Sequence, residues 1–185
     1  MKHIKLLILF FLINFYSGSL FASDDLINEL KEGGKIVLIR HSFAPGTGDP
    51  NNFLIEDCST QRNLNKRGIL QSKAIGFFFE KNRIPIDTVL SSEWCRCADT
   101  AFFAFQKYEK TSLLNSFYDS RFEKNKEKQM RELKDFIKQW HGKKNLILIT
   151  HYVVINELLN VSADSGEIII SDTKFNVIGK LKSKL

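Results

Sequence analysis

Three short apolar runs without polar alternation constrain this chain more than any other feature: Ile36-Val37-Leu38-Ile39, Thr88-Val89-Leu90 and Leu146-Ile147-Leu148-Ile149. A strand that is apolar on both faces has none to show to water, so such runs belong in a parallel sheet covered by helices. Each run ends abruptly in polar residues: Arg40-His41 after the first, Ser91-Ser92 after the second, Thr150-His151 after the third. The segments between them read as helices. Apolar residues recur at helical spacing along Asn65 to Lys81 (Leu64, Ile69, Ala74, Ile75, Phe78), Arg96 to Tyr108 (Ala101, Phe102, Phe105) and Arg121 to Trp140 (Met130, Leu133, Ile137, Trp140). Ser23 can cap a short helix, Asp24 to Lys31, which Gly33-Gly34 ends. Ser42 to Gln61, rich in Gly, Pro, Asn and Asp, reads as a loop. Glu167 to Leu181 reads as a hairpin, with a polar turn at Ser171 to Lys174 and Phe175, Val177 and Ile178 in its second arm. The expected fold is a single α/β domain with a mainly parallel central sheet, helices on both faces and a C-terminal hairpin.

The first residues have the layout of a secretory signal peptide: Lys2 and Lys5, an apolar stretch from Ile4 to Tyr16, then small residues around Ser17, Gly18 and Ala22. The stretch is shorter than the ~20 residues of a spanning helix, so residues 1–22 are read as a leader cut after Ala22. Leu20, a poor residue at the third position before that cut, keeps a retained N-terminal anchor as the other reading. Residues 23–185 then form one domain, long enough for a single core, and no repeat or linker divides them. Loss of Lys2 and Lys5 lowers the formal charge from +6 to +4. The remaining cations are spread along the chain, densest from Lys124 to Lys144, where a solvated helix face accounts for them. No basic block is interleaved with aromatics, which argues against nucleic acid as a partner. Nothing in the sequence signals an oligomeric state.

Three cysteines in a chain bound for an oxidising compartment allow one disulfide and one spare thiol. Cys95 and Cys97 stand too close in sequence to pair comfortably, so Cys58 is expected to join one of them, with Cys95 the first candidate. Three free buried thiols are the alternative. The four histidines and three cysteines show no paired ligand spacing, so no metal site is expected.

Ligands of open α/β sheets sit outside the carboxyl ends of the strands. Here those ends deliver Arg40 and His41, lead through Ser91-Ser92 to Arg96, and deliver His151. Two guanidinium forks and two imidazoles at one sheet edge suit a phosphoryl group: arginine matches its oxygens, and nearby positive charge keeps a histidine neutral and nucleophilic. Gly46, Gly48 and Asp49 sit in the loop APGTGDP, which lacks the Lys-Ser/Thr of a nucleotide-binding loop. It is read as a substrate-side loop or a plain turn. Trp94 beside Arg96 either lines the pocket or packs beneath the loop. His141 lies at the opposite edge, in a solvated turn.

Several pieces, in order, resemble the histidine phosphatase superfamily, the phosphoglycerate mutase-like proteins: LIRHSFAPG at Leu38 to Gly46, STQRNLNKRG at Ser59 to Gly68, SSEWCRCADTA at Ser91 to Ala101 and LITH at Leu148 to His151. The resemblance implies that His41 is a nucleophile forming a phosphohistidine, that Arg40 and Arg96 bind the transferred phosphoryl group, and that His151 contacts the same oxygens. Arg62 falls where the family adds a further phosphate contact, and no cofactor or metal is implied. Two positions depart from the pattern. Ser42 replaces the usual Gly after the nucleophile, and the leaving-group acid has no clear motif, with Asp119 the first candidate and Glu93 the second. The activity implied is hydrolysis of a small phosphorylated substrate outside the cytoplasm, periplasmic or secreted, with no stable membrane insertion once the leader is cut. The alternatives are a catalytically silent relative that binds phosphorylated sugars or envelope components, and a phosphomutase.

Overall fold

The computed structural model describes residues 18–182, with side chains from Asp24 onward. Most of the expected leader therefore lies outside the described residues. Among them, no helix is long and apolar enough to cross a membrane.

Six strands form one sheet: β1 (Ile36–Arg40), β2 (Ile86–Ser91), β3 (Glu109–Lys110), β4 (Asn145–Thr150), β5 (Ile168–Ser171) and β6 (Val177–Leu181), in the order β3-β2-β4-β1-β5-β6. β1, β2, β3 and β4 run parallel, while β5 and β6 form the antiparallel hairpin beside β1. The helices are α1 (Gly18–Glu32), α2 (Lys66–Lys81), α3 (Cys95–Phe105), α4 (Ser120–Glu123), α5 (Lys126–Gln139) and α6 (Tyr152–Leu159). The sheet separates two apolar layers. Ile36, Leu38, Leu146 and Leu148 pack with Leu133 and Ile137 of α5 and Val154 and Ile155 of α6. Their alternates Val37, Ile39, Ile147 and Ile149 pack with Leu30 of α1, Ile75 and Phe79 of α2 and Ala101 of α3. Successive side chains of a strand point to opposite faces, so an unbroken apolar run fills both layers at once.

The elements differ from the sequence expectation in several places. β2 is buried only at alternate positions near its end, because its outer neighbour β3 is two residues long and leaves most of it as an edge. α1 starts at Gly18 and runs through Ser23, which is therefore no cap; Gly33 and Gly34, both at positive φ, end it as expected. The single helix expected over Arg121 to Trp140 is two, broken at Lys124 and Asn125, with Asp119 capping the first by accepting from Arg121 N. Phe175 belongs to the hairpin turn rather than the second strand. It takes φ 69° while Asp172 accepts from Lys174 N and Asn176 N.

α2 lies close over the loop behind β1. A methyl group at Gly68 would collide with the Phe43 carbonyl oxygen, and one at Gly76 with that of Ala104 in α3. These contacts set how near α2 comes to the residues after His41.

Candidate active site

β1 and β4 are in register with Arg40 opposite Thr150, and β2 aligns Ser91 with Ile149. The ladder continues one residue beyond each strand: His41 N donates to Thr150 O (2.9 Å) and Ser92 N donates to Ile149 O (2.9 Å). Register alone thus brings His41, Ser92 and His151 to one edge of the sheet. The two imidazoles meet edge to face with centroids 5.5 Å apart.

His41 is 2% exposed. Its Nδ1 lies 2.8 Å from the Ser42 carbonyl oxygen. A carbonyl only accepts, so Nδ1 carries the proton and Nε2 keeps the lone pair. Burial, followed by the positive charge of Arg96, pushes the His41 pKa well below its ordinary value; Arg40 and Arg62 add to the effect, and the bond to Ser42 opposes it. The imidazole is a neutral base with its nucleophilic nitrogen preset. Ser42 itself is accommodated. Its N–H donates to Thr100 Oγ1 (2.9 Å), its hydroxyl shares a 2.8 Å bond with that of Ser72, and its φ is not positive.

His151 is equally buried, with Nε2 2.9 Å from Ser92 Oγ and Nδ1 3.5 Å from Arg96 NH2. Arginine only donates, so Nδ1 is unprotonated and the Nε2 proton points to Ser92. Ser92 Oγ in turn donates to Asn115 Oδ1 (3.1 Å), and Asn115 Nδ2 donates to Glu93 Oε2 (2.5 Å). Burial and then Arg96 drive the His151 pKa well below its usual position, with His41, Arg62 and Arg40 contributing in the same direction. Trp94, 1% exposed, backs this ring at 5.4 Å and packs beneath the loop with Phe53 and Phe122. Of its two expected places, the structure shows the second.

Arg96, in the first turn of α3, is buried against Asp49, with NH1 at 2.8 Å from Oδ1 and 3.1 Å from Oδ2. Arg40 is half-buried and donates NH1 to Ala163 O (2.8 Å). The Nε atoms of both Arg40 and Arg96 are buried with no hydrogen-bond partner. An unpaired buried donor is costly, and an anion is the kind of group that would satisfy two of them on guanidinium groups beside paired imidazoles. Arg62 stands at the same site but gives Nε to Gly48 O (2.8 Å) and NH1 to Ala44 O (2.6 Å), which leaves NH2 for an anion.

Cys58 and Cys95 form a disulfide that ties the turn before Arg62 to the start of α3, and Cys97 is the buried free thiol. Burial pushes the Cys97 pKa up to about 12, so it remains protonated beside His151, 3.5 Å from Nε2.

Both acid candidates are engaged in side-chain hydrogen bonds of their own. Asp119 accepts two side-chain bonds from Arg121 at 2.9 Å, and those bonds hold its pKa below the ordinary carboxylate value, so it is ionised. Glu93 is committed to Asn115. Sequence reasoning missed Ser92 and Asn115, which orient His151, and the contact of Asp49 with Arg96. A carboxylate in a glycine-bearing loop between two arginine-bearing segments was the available signal, but its partner lies 47 residues away.

No protein-family model matches the sequence, and no curated protein matches it. Solved structures do. The fold is the phosphoglycerate mutase-like α/β fold. The protein histidine phosphatase SixA complexed with tungstate superposes with a TM-score of 0.56 at 14% identity, over 80% of this chain and 97% of that one. Phosphoglycerate mutase from Thermus thermophilus gives 0.52 at 14% identity over 80% and 98%. A phosphoserine phosphatase mutant from Entamoeba histolytica in complex with phosphoserine gives 0.52 at 14% identity over 74% and 89%.

Proposed function

We propose that this chain is a histidine phosphatase that hydrolyses small phosphate monoesters through a phosphohistidine on His41 Nε2. The observation that carries the reading is the pair of unpartnered Nε donors of Arg40 and Arg96 around a neutral imidazole whose other nitrogen is already tied to Ser42. The guanidinium groups grip the non-bridging oxygens while Nε2 attacks phosphorus. A P–N bond forms as the ester P–O bond breaks, and the leaving oxygen takes its proton from solvent water as it departs. Water then attacks phosphorus, the P–N bond breaks, and phosphate leaves with His41 neutral again. The chain's own contribution is position and preset charge, the main source of rate in phosphoryl transfer.

An approaching dianion raises the pKa of His151, so Nδ1 gains the proton with which it can donate to a phosphoryl oxygen. The leader-like residues 1–22 and the disulfide support a periplasmic or secreted location, where the protein would act without membrane insertion. Determination of the N-terminus of the protein recovered from outside the cytoplasm tests this; an intact Met1 in a cytoplasmic product overturns it.

The enzymatic test is hydrolysis of p-nitrophenyl phosphate by wild type beside His41→Ala, with trapping of an acid-labile phosphoenzyme. His41→Ala is expected to lose at least about 10³-fold in kcat and all phosphoenzyme. Tungstate binding without turnover in wild type would instead select an anion-binding protein.

A further inference from the structure

Resting on the phosphatase reading above, we propose that Asp49 is a positioning residue that holds Arg96 with its Nε–NH2 edge turned to the phosphoryl group. The side chain is 7% exposed and its carboxylate accepts from three donor nitrogens. Oδ1 takes Arg96 NH1 (2.8 Å) and Arg62 N (3.0 Å); Oδ2 takes Arg96 NH1 (3.1 Å) and Trp94 Nε1 (3.2 Å). One N–H of NH1 lies across the two carboxylate oxygens, and the Arg62 carbonyl oxygen, 3.5 Å from the same nitrogen, faces the other. What remains of the guanidinium is Nε, which has no partner, and NH2, 3.5 Å from His151. Those two nitrogens form the side-on fork that binds two oxygens of a tetrahedral anion in parallel.

The arrangement is built from both sides. Gly46 and Gly48, at φ 86° and 69°, turn the loop so that Asp49 faces inward. Arg62 fastens the same loop through the Ala44 and Gly48 carbonyl groups. Indole and backbone donors then fix the carboxylate in two further directions. With three donor nitrogens on one carboxylate, Asp49 is suited to orient Arg96 and unsuited to give a proton to the leaving group. A flexible arginine facing the anion without it would have to be ordered during the reaction, and a misplacement of about 1 Å costs on the order of 10²-fold in rate.

The test compares wild type with Asp49→Asn, measuring kcat and KM on p-nitrophenyl phosphate, tungstate affinity by calorimetry and the melting temperature. Asp49→Asn keeps the shape but puts amide hydrogens where one oxygen stood. The expected result is a loss of about 10²-fold in kcat with a smaller change in KM, about tenfold weaker tungstate binding, and a melting temperature close to wild type. An unchanged kcat, or tighter tungstate binding, overturns the proposal, the latter by showing that the carboxylate only competes with the anion for Arg96. Trp94→Phe removes a single donor from Asp49 and serves if Asp49→Asn does not fold: a several-fold fall in kcat at unchanged melting temperature supports the role, and none overturns it. If wild type neither turns over the ester nor binds tungstate, the anion-site reading falls and this role falls with it. If wild type does both and Asp49→Asn matches it, the role of Asp49 alone falls.

Discussion

One hydrogen bond, His41 Nδ1 to its neighbour's carbonyl, decides which nitrogen keeps its lone pair. Nearby sequence makes that bond, so it survives in the absence of substrate, and burial with three arginines keeps the ring uncharged. The companion His151 is also neutral and presents a lone pair, not a proton, toward the anion side. Binding of an oxyanion should therefore take up protons. Tungstate titrations near pH 6 in buffers of different ionisation enthalpy are expected to show net uptake, and their heats should not depend on buffer if His151 stays neutral. Asp119 leads to the opposite expectation for a residue the sequence put forward. It is an ionised helix cap of α4, tied to Arg121. Asp119→Ala should leave kcat within about threefold of wild type and cost about 1 kcal/mol of stability, as loss of a cap does; a loss of kcat comparable with that of His41→Ala would make it the acid after all.

α2 and α3 are brought to the site by contacts that the apolar stripes alone do not specify. Gly68 and Gly76 have no side chain where α2 meets the Phe43 and Ala104 carbonyl groups, and any larger residue would force the helix away from the loop behind His41. The Cys58–Cys95 bridge joins the segment that carries Arg62 to the helix that carries Arg96, and Cys95 N also donates to Gln61 Oε1 (3.0 Å). It spans 37 residues, so in the chain-entropy picture its loss costs roughly 3–4 kcal/mol. A protein with both Cys58→Ser and Cys95→Ser should unfold at correspondingly lower denaturant. Its kcat/KM should fall as well, because Arg62 and the loop it fastens lose their anchor to α3. Unchanged kcat/KM at reduced stability would confine the bridge to a structural part.

For the molecule as a whole, two buried imidazoles with depressed pKa values link stability to pH. Each is neutral when folded and titrates near its ordinary 6.5 when unfolded, so between the lowered value and 6.5 the unfolded chain binds more protons. This linkage leaves stability unaffected above about pH 6.5 and removes it as pH falls, by up to about 1.4 kcal/mol per pH unit for each imidazole. Denaturation midpoints measured from pH 7 to pH 5 should fall, and should fall less in His41→Ala; a flat profile would show that the rings charge freely in the folded protein. The sheet, the sides of its helices, the hairpin and the four residues His41, Arg40, Arg96 and His151 were legible because runs of like side chains and residues at strand ends are local patterns. The break at Lys124 and Asn125 and the short β3 were not, since each depends on what the segment packs against. Likewise, strand alternation and the placement of polar residues after apolar runs already set which groups reach the carboxyl edge of the sheet. The contact of Asp49 with Arg96, the bond of Ser92 to His151 and the fastening of a loop by Arg62 arise once the chain is folded. Hydrogen bonds among distant residues follow from where the folded backbone sets their donors and acceptors, and no spacing along the chain records that.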